Sequence, residues 1–135
     1  MTLAPGVVGE ARLTVDSSTV AAAVGSGGLQ VFSTPSMIAL MEGAARAAVE
    51  PLLAGGQTTV GTRVDVRHLA PTPSGEAVRA RATLTLVDGR RLVFDVEAFD
   101  SHEKIGEGTH ERMVVDPARL LARAQAKLPR TQSQP

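Results

Sequence analysis

The feature that most constrains this fold is one long helical stretch that is apolar on more than one side. It starts at Ser33-Thr34-Pro35, where hydroxyl residues precede a proline, and Pro51 ends or kinks it. At about 100° per residue, one broad arc of the helix carries Met37, Ile38, Met41, Ala44, Ala45, Ala48, Val49 and Leu52. The opposite side carries the small residues Ala39, Gly43 and Ala47. We therefore expect a central helix that other segments cover on more than one side.

Four segments after the helix alternate between apolar and polar residues, as strands do. In the first, one face is predicted to carry Val60, Thr62, Val64, Val66 and His68, and the other Gly61, Arg63, Asp65 and Arg67. The next two strands place one apolar face on Val78, Ala80, Ala82, Leu84 and Leu86, and then on Leu92, Phe94, Val96 and Ala98. Asp88-Gly89 marks the hairpin between them, and Ile105 to Val115 forms the last strand. With "VVGEARLTV" as a strand before the helix, the order predicts an α+β fold whose antiparallel sheet lies on the helix.

The length of 135 residues suits one domain with a core of its own. We predict that residues 1–128 form this domain and that residues 129–135 are a disordered tail. Pro117 is predicted to open a short terminal helix. The stretch "VGSGGLQ" before the central helix is predicted to be a mobile loop, because glycine lowers the cost of alternative backbone states.

Composition excludes several classes of protein. The 14 Lys and Arg balance 14 Asp and Glu, and Trp and Tyr are absent, so we expect no nucleic-acid partner. Without cysteine there is no thiolate nucleophile, disulfide or zinc-thiolate site. Neither a basic leader nor a run of about 18 apolar residues occurs, so we expect a cytoplasmic protein with no membrane partner. A chain of zero net charge is prone to associate, which favours a homodimer.

Three stretches, "STPSMIALMEGAA", "VGTRVDVRHLAPTPSGE" and "VFDVEAFDSHEKIGEGTHERMVV", resemble the hot-dog thioesterases related to fluoroacetyl-CoA thioesterase. The likeness spans roughly residues 7–115. It implies a hot-dog fold, in which the sheet curls around one long helix, and hydrolysis of a small acyl-CoA or a related acyl thioester. It also implies a site at the interface of a homodimer. The chemistry of thioester hydrolysis requires no cofactor and no metal.

The resemblance also identifies candidate site residues. Thr34, Glu42 and His68 match the catalytic threonine, glutamate and histidine of that family, and Gly61 matches a glycine that lies against the substrate carbonyl. Two further substrate-binding residues are predicted beside them, Phe32 and Gly28. Where the fluoroacetyl-specific enzyme has an aromatic lid, this chain has "VGSGGLQ". The likeness therefore supports acyl-CoA hydrolysis better than it supports a fluorinated substrate.

Each catalytic candidate also has an ordinary structural explanation. Thr34 could cap the helix, Glu42 could belong to an exposed ladder with Arg46 and Glu50, and His68 could end a strand on a backbone carbonyl. The other histidines have weaker claims. His102 is expected in a solvated turn, and a metal site shared by all the histidines lacks ligand spacing. His110 is placed on the Gly106 and Gly108 side of the last strand, with no role assigned to it.

Three functions are consistent with these residues. The first is a thioesterase in which Glu42 is nucleophile or general base, His68 assists proton transfer and Thr34 orients the carbonyl or the carboxylate. The second is a non-catalytic module that binds an acyl-CoA or another metabolite. The third is a hot-dog hydratase, whose characteristic Asp and His motif is not visible in this sequence.

Overall fold

The computed structural model describes residues 2–129. In chain order the elements are β1 (Val8–Thr14), α1 (Ala21–Val24), α2 (Thr34–Val49), β2 (Thr58–His68), β3 (Ala77–Asp88), β4 (Arg91–Asp100), β5 (Lys104–Val115) and α3 (Pro117–Gln125). One turn of 3₁₀ helix, Glu50–Leu52, follows α2. All of the predicted tail 129–135 except its first residue lies outside the described residues, so the domain boundary stays a prediction.

The five strands form one antiparallel sheet in the order β1-β3-β4-β5-β2, and helix α2 packs on one face of it. The predicted apolar face of β4 is confirmed, since it buries Leu92, Phe94, Val96 and Ala98. On the helix, the buried residues are Met37, Leu40, Met41, Ala44, Ala45, Ala48 and Val49. This core is the interior of a sheet that wraps around α2, as the sequence predicts.

Strand β1 crosses α2 at Gly9. A Cβ at Gly9 would collide with the backbone of Ala44 and Ala48, so only glycine allows this approach. The close backbone contact therefore forms on the Ala44 side of the helix. The small-residue side, predicted to be covered, is exposed within the chain at Ala39, Gly43 and Ala47. That prediction is wrong for a single chain.

The start of α2 differs from the expected cap by one residue. Ser33, not Thr34, is the N-cap, and its hydroxyl accepts a hydrogen bond from the Ser36 amide at 3.1 Å. Thr34 is the first residue of the helix and Pro35 the second. The helix ends at Val49, just before Pro51, as predicted. The Thr34 hydroxyl therefore does not cap the helix.

Strand β2 contains a β-bulge between Gly61 and Arg63. Gly61 pairs with Arg112 and Val64 with His110, so the bulge brings Gly61 and Val64 onto the same face of the sheet. The predicted division of β2 into two strict faces is wrong at this point, because an extra residue reverses the alternation. A second bulge, in β3, turns Leu86 outward, where it is exposed.

The glycine stretch lies on the surface between α1 and α2. Residues 22–30 are all exposed, and Gly25 and Gly27 have φ angles of 73° and 149°. Gly25 ends α1 in the left-handed conformation. The mobility of this loop stays a prediction.

Candidate active site

Thr34 and His68 meet although they are 34 positions apart in the sequence. Thr34 begins α2 and His68 ends β2, and Thr34 Oγ1 lies 2.8 Å from His68 Nδ1. The other ring nitrogen of His68, Nε2, is buried and has no hydrogen-bond partner within residues 2–129. A buried ring nitrogen left free in this way can exchange a proton with a bound molecule.

Burial keeps His68 in its neutral form. It lowers the pKa of His68 from its ordinary value of about 6.5, and the nearby Ala70 backbone acts in the opposite direction. The neutral imidazole therefore predominates at neutral pH. This is the protonation state in which a histidine can accept a proton.

A cavity of about 460 Å³ lies beside the Thr34 and His68 pair. Both predicted substrate-binding residues, Phe32 and Gly28, line it. Phe32 is almost fully buried, at 1% exposure, and forms part of the wall, whereas Gly28 is exposed at the surface. Gly61 is not among the residues that line this cavity.

Glu42 lies in a different environment, next to a buried arginine. Glu42 Oε2 is 3.3 Å from Arg112 Nη1, and the side chain of Arg112 is only 7% exposed. Arg112 also donates through Nε to Thr59 Oγ1 at 2.8 Å and through Nη2 to the Thr59 carbonyl at 3.0 Å. Glu42 itself is 40% exposed. Arg112 thus holds the Glu42 carboxylate from the protein interior, while the other side of the carboxylate faces solvent.

His110 completes this network and was underestimated from the sequence. It is 1% exposed, its Nδ1 lies 2.8 Å from the Arg63 carbonyl, and its Nε2 lies 3.2 Å from Arg112 Nη1. Because a carbonyl only accepts, Nδ1 carries the proton and Nε2 accepts from Arg112. Burial lowers the pKa of His110, with the neighbouring Arg112 charge acting in the same direction.

Glycines in β5 could have revealed that His110 faces inward. A Cβ at Gly106 would collide with the Met37 side chain, so the side of β5 that carries Gly106, Gly108 and His110 is the side that faces α2. A glycine within a strand often marks such a close approach. The sequence contains this signal, although its alternation alone does not say which side is buried.

Gly61 lies against the Glu42 carboxylate. A Cβ at Gly61 would overlap Glu42 Oε2 and would come within 3.3 Å of His110 Cε1 and 3.4 Å of Arg112 Nη1. The absence of a side chain at this position leaves the space that the carboxylate occupies. The structure thus groups Gly61 with Glu42, Arg112 and His110.

The contacts of Glu42 differ from its ordinary structural explanation, whereas His102 agrees with its own. The expected ladder forms between Arg46 and Glu50, at 3.6 Å, but the ion pair of Glu42 is with Arg112. His102 is exposed, as expected, at 77% of its side chain. Among residues 2–129, no group of three or more His, Asp or Glu side chains is arranged to hold a metal ion.

One chain does not bring all three catalytic candidates together. Thr34 and Glu42 are eight residues apart on the same helix, which separates them by about 12 Å along its axis. Glu42 does not line the cavity beside Thr34 and His68. The chain therefore presents two half-sites, one at the start of α2 and one at its middle.

Comparison with known proteins gives the class. The fold matches a solved hot-dog-like protein from Thermanaerovibrio acidaminovorans, with a TM-score of 0.83 and 26% identity over 94% of each chain. It matches a solved structure of the fluoroacetyl-CoA thioesterase FlK more closely, with a TM-score of 0.89 and 32% identity, covering 96% of this chain and 100% of that one. The protein has a hot-dog fold of the thioesterase type, as predicted.

The family is equally clear. A fluoroacetyl-CoA thioesterase from Streptantibioticus cattleyicolor is 42% identical over 100 residues, which are 74% of this chain and 72% of the relative. The family described as fluoroacetyl-CoA-specific thioesterase, FlK, matches residues 15–118. The chain belongs to this family. The prediction of an acyl-CoA thioester hydrolase is thereby confirmed.

In the part of the chain that the structure covers, no helix combines the length and the apolar character needed to cross a membrane.

Proposed function

We propose that the protein hydrolyses an acyl-CoA thioester at a composite site, formed by Thr34 and His68 of one copy and Glu42 of a second copy. The observation that carries this proposal is the 2.8 Å contact between Thr34 and His68 at the wall of an apolar cavity. In the part of the chain that the structure describes, no carboxylate lines that wall, and the partly exposed carboxylate of Glu42 lies about 12 Å from Thr34 along α2. An acyl-CoA substrate agrees with the cytoplasmic location that the sequence predicts.

The free edge of the sheet supports a homodimer. Strand β2 is at the end of the sheet order, and its residues 61–65 are exposed. Unpaired edges favour pairing with another strand. The small-residue side of α2, namely Ala39, Gly43 and Ala47, is also exposed, but it lies towards β1, because a Cβ at Gly43 would come within 3.7 Å of the Ala11 side chain. A second copy that pairs along β2 would cover the exposed β2 edge.

The direction of that pairing explains how the half-sites could meet. If two β2 strands pair antiparallel about a twofold axis, the His68 end of one strand lies beside the Thr58 end of the other. Gly61, Glu42 and Arg112 belong to the Thr58 end. Pairing therefore moves Glu42 of one copy towards Thr34 and His68 of the other.

The proposed chemistry follows from these positions. Thr34, at the positive end of the α2 dipole, orients the thioester carbonyl and stabilises the negative charge that develops on its oxygen. The Glu42 carboxylate attacks the carbonyl carbon, or it takes a proton from water that attacks. The C–S bond then breaks and the coenzyme A thiolate departs. Neutral His68 accepts the proton that the consumed water loses, either through Glu42 or directly from the water that hydrolyses an acyl–Glu42 anhydride, and passes it to that thiolate. Both routes release a free acid and coenzyme A, with one water consumed.

Arg112 and His110 position the carboxylate in this scheme. Arg112 is fixed by the two bonds to Thr59, and its Nη1 donates towards both Glu42 and His110. The hydrogen bond from His110 to the Arg63 carbonyl keeps Nε2 available as the acceptor. The bulge in β2 supplies that carbonyl, so the backbone irregularity, the buried histidine and the arginine act together on Glu42.

Thiol release tests the function directly. Purified protein is mixed with acetyl-CoA and with branched and aromatic acyl-CoAs, and free coenzyme A is measured with a thiol reagent. Steady release from any of them supports the thioesterase and excludes the non-catalytic binding module. A change in enoyl absorbance without thiol release would instead indicate a hydratase.

Complementation tests the composite site. Glu42→Gln and His68→Asn are expected to be nearly inactive alone, yet coexpressed chains should recover about one quarter of wild-type activity. The reason is that half of a random mixture is mixed dimers, and each has one intact site out of two. Recovery no greater than the sum of the separate variants would show that all three residues act within one chain. Light scattering that gives the 14.0 kDa mass of a single chain would also contradict the proposal.

Gly61→Ala is expected to lower kcat at least tenfold with little loss of stability. The new methyl group overlaps Glu42 Oε2. The flexible carboxylate can move aside at little cost in stability, but it then leaves its position beside Arg112. Gly55→Ala is the matched control, because a Cβ there meets no atom within 4 Å. Both variants are compared by kcat and by melting temperature. Wild-type kcat in Gly61→Ala would show that the Arg112 contact does not matter for turnover.

A further inference from the structure

The cavity beside Thr34 and His68 is lined mostly by apolar groups. Its wall includes Ala21, Leu29, Val31, Phe32, Ala70 and Pro71, and the polar side chains present are His68, Thr34 and two serines. Among residues 2–129, no Asp, Glu, Lys or Arg side chain lines it. A dicarboxylic acyl group would bring a second carboxylate into this space without a partner. The chemistry of the wall therefore selects an acyl group made of hydrocarbon.

The volume indicates the size of that group. The cavity measures about 460 Å³, which is within the range of pockets that hold drug-sized ligands. An acetyl group would leave most of the wall without contacts and forgo their dispersion energy. A branched or aromatic acyl group would fill more of the space next to the Thr34 and His68 pair.

Gly28 keeps the rim of this cavity open. A Cβ built at Gly28 meets no heavy atom within 4 Å, and its backbone lies outside the left-handed region. A side chain could therefore be accommodated there without strain, but glycine leaves the space empty. The neighbouring Leu29 also lines the cavity and is 70% exposed, an apolar surface that the described residues leave uncovered.

We propose that the acyl site accepts a bulky apolar acyl group, branched or aromatic, and that Gly28 is the residue that permits this size. The inference rests on the proposed function, because it assigns the cavity to the acyl part of the thioester. It goes beyond that function by naming the class of acyl group and the residue that determines it. Each methylene that becomes buried in the cavity should raise kcat/KM about fourfold.

The test compares acetyl-CoA, isovaleryl-CoA and phenylacetyl-CoA with wild type and with Gly28→Leu. For wild type, kcat/KM for at least one bulky thioester is expected to exceed that for acetyl-CoA by tenfold or more. In Gly28→Leu, the ratio of kcat/KM for the bulky thioester to kcat/KM for acetyl-CoA should fall at least tenfold, because the new side chain fills the rim of the cavity. Gly55→Leu is the matched control and should keep the wild-type ratio, since its Cβ also points into open space but Gly55 is not among the residues that line the cavity.

The outcomes separate this inference from the proposed function. Thiol release with a preference for acetyl-CoA, or an unchanged ratio in folded Gly28→Leu, would overturn the inference and leave the thioesterase intact. No thiol release from any thioester would overturn the proposed function instead. In that case, calorimetric Kd values for thioether analogues of the same acyl groups still test the cavity. Equal Kd values for the acetyl and the bulky analogues would refute the inference.

Discussion

Glu42→Gln is expected to lower kcat on the order of 10²-fold or more, which is about 2.7 kcal/mol of transition-state stabilisation. Glutamine preserves the size of the side chain and can still accept a hydrogen bond from Arg112 through its amide oxygen. It cannot act as a nucleophile or take a proton from water. Turnover should therefore fall while the variant remains folded and dimeric. The measurement uses a thioester that wild type demonstrably hydrolyses, with melting temperature recorded in parallel.

Glu50→Gln provides the matched control for this substitution. Glu50 follows α2 directly, is 35% exposed and pairs with Arg46, so it resembles Glu42 in exposure and in having an arginine partner. Its replacement should cost well under about 1 kcal/mol and leave kcat unchanged. If folded Glu42→Gln shows the same kcat as Glu50→Gln, Glu42 serves only as the counter-charge of buried Arg112, and the proposed mechanism fails.

His68→Asn is expected to lower kcat/KM by about 10²-fold to 10⁴-fold, the range associated with loss of an acid–base group. Asparagine can keep the hydrogen bond to Thr34 because its amide reaches the position of Nδ1, but it has no group at Nε2 that can transfer a proton. The exposed His102 offers the control, and His102→Asn should leave kcat/KM unchanged. A loss of less than tenfold in a folded His68→Asn variant would assign His68 to structure alone.

The pH dependence gives a second readout for His68. Since burial lowers the pKa of His68, its neutral form persists below pH 6.5, and protonation sets in only at lower pH. Wild-type kcat/KM should therefore stay level from neutral pH through about 6.5, the ordinary pKa of histidine, and fall only at lower pH. The residual activity of His68→Asn should lack this acid limb. If kcat/KM of His68→Asn falls over the same acidic pH range as that of wild type, a group other than His68 controls the fall.

Burial of His68 and His110 in neutral form also affects stability. Both pKa values are lowered in the folded chain, so the unfolded chain binds more protons as the pH falls. Their contribution to the free energy of unfolding is complete above about pH 6.5 and declines below it. Melting temperatures measured at the same pH values as kcat/KM separate this loss of stability from protonation of His68 in the active site.

The sequence by itself determined the order of elements and most of the fold. Ser33 and Pro35 mark the start of α2, Pro51 marks its end, and Asp88-Gly89 marks the hairpin, because these residues act through local backbone geometry. Four alternating strands after one apolar helix leave few ways to bury a common core. The resemblance then identified the thioesterase family, which the comparisons confirm.

Tertiary structure alone decided how the candidate site is arranged. The bulge between Gly61 and Arg63 depends on which β5 residue stands opposite each of them. The alternation of residues within β2 does not specify that register. The Glu42 and Arg112 pair joins residues 70 positions apart, so no spacing along either element predicts it. Capping by Ser33 frees Thr34 for His68, a distinction of one residue that two adjacent hydroxyls leave open. These contacts arise between elements, and their geometry is fixed only when the sheet wraps around α2.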